Sequence, residues 1–313
     1  MVNWQKHKRV IFGISGRSLS KQEHRFFAEH RPAGFIIFSR NIENLEQLTS
    51  LIQSLKTVVE CEDILILIDQ EGGRVARLAP PLFSVHPPAI AFGILAKSNL
   101  EQAINATFLN YKTIGEGLKE LGFNVNCAPV ADLCRPETSW VDDRSFGDNP
   151  ETVITLCRAA GAGLKAAGIH PVIKHIPGHG LTTLDSHEVL PFTNASLAVL
   201  ERNDFKIFKK LAYDFQFAMT AHIVYTQLDK HLPATQSPIV AQYIRKQIGF
   251  NGIIISDDLS MNALSGNYTI RTQKTLNVCD LVLHCNGKME EMVEVASTAG
   301  YITQEISDKL TAI

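Results

Sequence analysis

Eight short apolar runs recur along the chain, and a segment with helical features follows almost every one of them. The runs cover residues 10–14, 34–38, 64–68, 123–128, 169–173, 215–220, 253–256 and 280–284. Their continuous apolar character, without strict alternation, is typical of strands that are covered on both faces of a parallel sheet. Strands that alternate with helices predict right-handed crossovers. Eight such units predict an α/β fold, a (β/α)8 TIM-type barrel that forms a single domain over residues 1–313.

Helix start signals stand between the runs, where such a barrel needs helices. A capping residue followed three positions later by Glu, or directly by proline, marks the first turn of a helix. The signals are Ser98 with Glu101, Asn149 before Pro150, and Ser237 before Pro238. An open doubly wound sheet is the alternative, but Gly13-Ile14-Ser15-Gly16 after the first run is only a fragment of a dinucleotide-binding loop. The closed barrel is therefore the predicted fold.

The charge balance and the cysteines exclude several classes of partner. The chain carries 30 lysines and arginines against 32 aspartates and glutamates, without the basic excess that nucleic-acid binding normally requires. Its six cysteines form no C-x-x-C pair, and the longest uncharged stretch, residues 78–96, contains four prolines that a membrane-spanning helix would not carry. The apolar run near the N-terminus is too short for a signal peptide. We expect a cytoplasmic protein with a small-molecule partner, no nucleic acid and no membrane.

Polar residues follow five of the apolar runs, where a barrel of this kind places its chemistry. In chain order they are Asp69, Arg77, Asp132, Arg144, Lys174, His175, His179, Asp185, His187, His222, Asp257 and Asp258. An aspartate at a strand end often only caps the next helix, and we interpret Asp258 in this way. Asp257 directly follows the run 253–256, so we assign it to the pocket.

The segment 174–187 has the strongest functional signal in the chain. It contains three histidines, one lysine and one aspartate within fourteen residues, and Gly178 and Gly180 give its backbone conformational freedom. Three histidines on one loop over a barrel mouth indicate catalysis or metal binding. Asp185 lies two residues before His187 and can orient its imidazole and stabilise the cationic form.

Three segments of the sequence resemble motifs of a known family. Residues 174–180 (KHIPGHG) with 185–187 (DSH), residues 68–75 (IDQEGGRV) and residues 255–261 (ISDDLSM) resemble those of family 3 glycoside hydrolases, in the NagZ-type branch of bacterial β-N-acetylhexosaminidases. The resemblance implies removal of non-reducing terminal β-N-acetylglucosamine with retention, mostly from muropeptides during peptidoglycan recycling. We expect neither a metal nor another cofactor.

The resemblance also implies a role for each matching residue. Asp257 is then the nucleophile, His187 the general acid/base and Asp185 its partner. The residues that would hold the terminal sugar are Asp69, Arg77, Arg144, Lys174 and His175. A histidine and aspartate dyad is unusual, since most retaining glycosidases use a second carboxylate as the proton donor. The glycines of its loop lead us to expect that His187 moves into place only after the sugar binds.

Three alternatives remain open at this stage. A metal-dependent barrel hydrolase could use His175, His179, Asp185 and His187, although such sites need ligands from several strands. A sugar-binding barrel without activity would keep Asp69, Arg77 and Lys174 but would have no use for the dyad. A phosphorylase would transfer the sugar to phosphate instead of water, and a histidine acid, neutral after donating its proton, would not repel that anion.

Overall fold

A computed structural model of the chain describes residues 2–135, 141–182 and 189–312. Within these ranges eight parallel strands pair in chain order, and the eighth closes on the first to form a barrel. The strands are Lys8–Gly13, Pro32–Ile37, Leu65–Ile68, Val125–Asn126, His170–Ile176, Phe217–Thr220, Ile253–Asp258 and Leu281–His284. Val10 lies opposite Val282 where the barrel closes. Each strand overlaps one predicted run, and the predicted barrel is confirmed.

Helices lie outside the strands and cover their outer faces. The α-helices are Lys21–His30, Leu45–Val58, Ala89–Ser98, Leu100–Glu120, Pro150–Ala166, Leu197–Arg202, Asp204–Leu211, Pro238–Tyr243, Tyr268–Leu276, Met289–Thr298 and Gln304–Thr311. In the barrel strand Pro32–Ile37 all six residues are buried, which explains the lack of alternation in the sequence. Among the described residues, no helix is both long and apolar enough to cross a lipid bilayer.

Two of the three predicted helix starts are confirmed, and one is wrong. Asn149 accepts a hydrogen bond from the backbone N–H of Glu151 (2.9 Å), and Ser237 accepts one from Val240 (3.2 Å). Ser98, in contrast, is the last residue of one helix, and Asn99 begins the next. The Asn99 side chain accepts from the N–H of Gln102 at 3.0 Å. Asn99 is the cap because its extended backbone turns the chain between the two helices.

Two side-chain amides add to the backbone pairing at the short fourth strand. Asn124 accepts from the N–H of Ile66 (2.7 Å) and donates to the carbonyl of Ile64 (2.9 Å). Asn126 does the same to Gln70, accepting from its N–H at 3.0 Å and donating to its carbonyl at 2.9 Å. The backbone of Gln70, which lies between Asp69 and Glu71, is therefore fixed by a fully buried amide.

A tight hairpin follows the third strand at the mouth of the barrel. Residues Gln70–Gly72 pair antiparallel with Val75–Ala76. Gly72 and Gly73 form its turn with φ of 93° and 59°, a conformation that residues with a Cβ rarely adopt. A Cβ on Gly72 would also lie 2.5 Å from the carbonyl oxygen of Pro87. The hairpin returns the chain toward its start, so that the N–H of Arg77 donates to the carbonyl of Asp69 (3.3 Å).

Candidate active site

A cavity of about 500 Å3 lies at the carboxyl ends of the barrel strands. Its walls include six of the eight residues that the sequence assigned to the site, namely Asp69, Arg77, Arg144, Lys174, His175 and Asp257. The remaining two, Asp185 and His187, lie outside the described residues. The assignment of the acid/base dyad therefore stays a prediction. The other six residues come from four different strands and their loops, and the closure of the barrel brings them together.

Asp69 is held between two cations at the end of the third strand. Its Oδ1 accepts a hydrogen bond from Nζ of Lys174 (3.0 Å), and its Oδ2 accepts one from Nη2 of Arg77 (2.9 Å). Burial by itself raises the pKa of Asp69, but the charges of Lys174 and Arg77 outweigh it and hold the pKa well below its usual range. Asp69 is therefore an anion across the working pH range and can accept hydrogen bonds from a ligand.

Glu71 binds the other side of Lys174 and also holds Arg144. The guanidinium of Arg144 donates from Nε to Oε2 (2.9 Å) and from Nη2 to Oε1 (2.8 Å), and Nζ of Lys174 lies 2.7 Å from Oε1. Although burial raises the pKa of the Glu71 carboxyl, the charges of Arg144 and Lys174 bring it down to about 2. In turn, the neighbouring carboxylates outweigh burial and raise the pKa of both cations. All three groups are charged at neutral pH.

No role was predicted for Glu71 from the sequence, although a signal for one was present. Glu71 stands two positions after Asp69 in an extended segment. Residues at that spacing point to the same face of a strand, so a carboxylate beside a proposed sugar ligand was a candidate for the same cluster. What the spacing cannot reveal is that Glu71 pairs with Arg144, 73 positions further along the chain.

Asp257 and His175 lie close together in the wall of the cavity. Asp257 lies near the end of the seventh strand, and its Oδ1 accepts from the N–H of Asp258 (2.8 Å). Its Oδ2 lies 4.0 Å from Nε2 of His175, and its side chain is 17% exposed. One carboxylate oxygen is thus oriented by the backbone, while the side chain keeps access to the cavity. This is the arrangement that a nucleophilic carboxylate needs.

His175 is oriented from behind by Asp132, a fully buried residue whose role the sequence analysis left unassigned. Nδ1 of His175 lies 2.7 Å from Oδ2 of Asp132. Oδ1 of Asp132 also accepts from the N–H of His179 at 2.7 Å. Burial raises the pKa of Asp132, but the charge and hydrogen bond of His175, together with the contacts of His179, hold it below its usual range. An ionised Asp132 keeps the proton of His175 on Nδ1 and turns Nε2 toward Asp257.

The other polar residues found after the apolar runs have structural contacts. The carboxylate of Asp258 accepts from the backbone N–H groups of Ser260 and Cys285, each at 3.0 Å. It therefore caps backbone groups as expected, but those of a turn and of the eighth strand end rather than of a helix. His222 is fully buried, with Nδ1 2.7 Å from Oγ1 of Thr235 and Nε2 3.0 Å from the carbonyl of Asp258.

His179 lines the cavity but is neutral at physiological pH. Burial lowers the pKa of His179 to about 3. Its Nδ1 lies 3.0 Å from Oγ1 of Thr182, which pairs one ring nitrogen with a hydroxyl. Among the described residues, no group of three or more His, Cys, Asp or Glu side chains is arranged to hold a metal ion. Asp185 and His187, two of the ligands that the metal-dependent alternative requires, lie outside those residues.

Comparison with known proteins gives consistent matches over nearly the whole chain. Residues 8–313 match the family described as Glycosyl hydrolase family 3 N terminal domain. A beta-hexosaminidase of Haemophilus ducreyi is 35% identical over 297 residues, which cover 93% of this chain and 85% of that protein.

Solved structures also match nearly the whole chain. The crystal structure of NagZ from Neisseria gonorrhoeae in complex with N-trifluoroacetyl-D-glucosamine has a TM-score of 0.90 at 31% identity, covering 97% of this chain and 89% of that one. A family 3 β-N-acetylglucosaminidase from a Paenibacillus strain has a TM-score of 0.88 at 29% identity, covering 100% of this chain and 61% of that one. The similarity thus includes all strands that carry the cavity.

Proposed function

The chain belongs to glycosyl hydrolase family 3 and is a glycoside hydrolase, and from this premise we propose that it is a retaining exo-β-N-acetylglucosaminidase. It removes the non-reducing terminal N-acetylglucosamine of muropeptides, with Asp257 as the nucleophile. The observation that carries the assignment is the position of Asp257, which lies in one cavity with the charged cluster of Asp69, Lys174 and Arg144. We assign the reaction to peptidoglycan recycling in the cytoplasm, as the family resemblance implies.

The cluster binds the terminal sugar by hydrogen bonds to its hydroxyl groups. Sugar hydroxyls both donate and accept, so they can donate to the Asp69 carboxylate and accept from Lys174, Arg77 and Arg144. These charged groups hold one another at 2.7 to 3.0 Å, so the protein itself fixes their positions. Little reorganisation is then needed when the sugar binds, which is the condition for effective electrostatic stabilisation of a transition state.

Asp257 then attacks the anomeric carbon of the sugar, and the bond between that carbon and the leaving oxygen breaks. A covalent glycosyl-enzyme ester forms, and the leaving oxygen takes the proton of His187, whose cationic form Asp185 stabilises. In the second step a water molecule gives its proton to His187 and attacks the anomeric carbon, and the Asp257 carboxylate leaves. An imidazole with an ordinary pKa of about 6.5 can both donate and accept a proton near neutral pH.

The test is cleavage of an aryl N-acetyl-β-glucosaminide by the wild-type protein, Asp257→Asn and the control Asp63→Asn. Asp63 is exposed and lies at the opposite end of the barrel from the cavity. We expect the wild type and the control to release the aryl group, and Asp257→Asn to lose nearly all turnover while remaining folded. Equal activity of Asp257→Asn and the wild type would refute the assignment of the nucleophile.

Five additions to the same assay test the finer points of the proposal and separate the alternatives. An aryl β-glucoside tests the requirement for the acetamido group, and a muropeptide compared with diacetylchitobiose tests the preferred leaving group. Inorganic phosphate tests the acceptor, because a sugar phosphate product would make the protein a phosphorylase. EDTA tests the metal-dependent alternative, and we expect it to leave activity unchanged. NMR of the first product should show the β-anomer, since an α-anomer would contradict retention.

A further inference from the structure

Asp204 is a buried carboxylate that the reaction described above does not use. It is the first residue of the helix Asp204–Leu211, it is 1% exposed, and it does not line the cavity. Its Oδ1 accepts a hydrogen bond from the backbone N–H of Gly180 (3.1 Å), and its Oδ2 accepts one from Nη2 of Arg135 (3.1 Å). Burying a carboxylate costs free energy unless its partners compensate for the lost solvation. The position of Asp204 therefore requires an explanation.

The two partners belong to two of the segments that carry site residues. Gly180 lies after the fifth strand, on the segment that leads along the chain to Asp185 and His187. Arg135 lies after the fourth strand, on the segment that leads to Arg144. Asp204 therefore joins, through one carboxylate, two segments that reach the mouth of the barrel from different strands.

Close packing reinforces the contact with the first of these segments. A Cβ on Gly178 would lie 2.6 Å from Cβ of Asp204, and a Cβ on Gly180 would lie 2.7 Å from its Oδ1. Both distances are shorter than real side chains show, so only glycine lets this backbone lie against Asp204. The two glycines that the sequence suggested as a source of loop freedom thus also serve as a contact surface.

Resting on the proposed function, we propose that Asp204 is a positioning residue for proton transfer. Its carboxylate holds the backbone at Gly180 and the side chain of Arg135, and Gly180 begins the part of the sequence that leads to the acid/base dyad. The charge state fits this role. Burial raises the pKa of Asp204 to about 6, although the charge of Arg135 opposes the rise. At pH 7 most of the population is ionised and binds Arg135 by charge as well as by hydrogen bond.

The experiment compares two substrates that differ in their need for a general acid. Dinitrophenolate leaves a sugar without being protonated, whereas phenolate requires a proton in the transition state. Both N-acetyl-β-glucosaminides are assayed with the wild type, Asp204→Asn, Asp204→Ala and Arg135→Gln. Because kcat/KM reports the step in which the leaving group departs, a misplaced acid lowers kcat/KM for the phenyl substrate and spares the dinitrophenyl substrate.

We expect Asp204→Asn to lower kcat/KM for the phenyl substrate by about 10²-fold, the cost of a small misplacement of a catalytic group. Asp204→Ala should lower it further because it removes the contact with Gly180 as well. The dinitrophenyl substrate and the dissociation constant of N-acetylglucosamine should stay near the wild-type values. The control Asp214→Asn, which removes the carboxylate of an ion pair with Arg158 (2.9 Å) away from the cavity, should change neither substrate.

Equal losses for the two substrates, or no loss for either, would overturn the role of Asp204. If Asp204→Asn does not fold, Arg135→Gln decides the question. It breaks the same ion pair and leaves the contact between Asp204 and Gly180 in place, so it should also lower kcat/KM for the phenyl substrate and spare the dinitrophenyl substrate. A wild-type protein that cleaves neither substrate would refute the proposed function itself. Wild-type cleavage together with unaffected variants refutes only the positioning role.

Discussion

Replacing Glu71 by glutamine should destabilise the fold by an amount that can be worked out from its contacts. The side chain keeps its shape but loses its charge. Arg144 then loses the partner that accepts from both Nε and Nη2, and Lys174 keeps only the Asp69 carboxylate at 3.0 Å. Both cations are deeply buried, with side chains 12% and 3% exposed, so water replaces the lost carboxylate only in part.

Two estimates of the magnitude agree. The pKa of Glu71 lies at about 2 against an ordinary 4.5, a difference that corresponds to about 3 kcal/mol of stability for the ionised carboxyl. Removing one partner from a buried ion pair costs about 3–5 kcal/mol in other proteins. Since the pKa is lower in the folded state, this stability is complete above pH 4.5 and is lost as the pH falls toward about 2.

The assay is urea unfolding of the wild type and Glu71→Gln at pH 7 and at about pH 3.5, below the ordinary pKa of the carboxyl. We expect a difference in unfolding free energy of about 3 kcal/mol at pH 7 and a smaller one in acid. Glu290→Gln, an exposed glutamate on the surface helix Met289–Thr298, should stay within about 0.5 kcal/mol of the wild type. A difference at pH 7 below about 1 kcal/mol, or one that does not change with pH, would refute the reasoning.

Two further predictions concern the contacts of the fifth strand, His170–Ile176, and of the segment that follows it. Asp132→Asn removes the charge that orients His175, so we expect kcat to fall by about 10²-fold with a smaller change in KM, measured against the exposed-aspartate control used above. A KM that rises as much as kcat falls would contradict an orienting role. Gly180→Ala places a Cβ 2.7 Å from Oδ1 of Asp204 and should cost about 1–3 kcal/mol in thermal or urea unfolding. Gly16→Ala is the matched control, because a Cβ there meets nothing within 4 Å, and equal stability of the two variants would argue against the close packing.

Proposed catalytic and sugar-binding residues could be located from the sequence where each follows an apolar run. Asp69 and Asp257 stand directly after such runs, and parallel strands of a barrel all end at the same mouth. The cavity that contains both residues confirms this placement, although not their chemical roles. Asp132 also follows a run, but its side chain turns away from the cavity and supports His175. The position of a residue along the chain predicts at which end of the barrel it lies, but it does not predict where its side chain points.

The apolar runs alone were sufficient to predict the barrel, because a strand that is buried on both faces has apolar residues at consecutive positions. A hydrogen bond between a side chain and the backbone, such as that of Asn124 beside the fourth strand, has no periodic pattern in the sequence, and the predicted run there is a few residues longer than the strand.

Only the tertiary structure decided which charges meet. Glu71 pairs with Arg144 across 73 positions, and Lys174 pairs with Asp69 across 105. An ion pair depends on a separation of about 3 Å between atoms, and loops from different strands set that separation only after the barrel has closed. The sequence therefore determined that charged groups collect at one end of this barrel, and folding determined which carboxylate each cation binds.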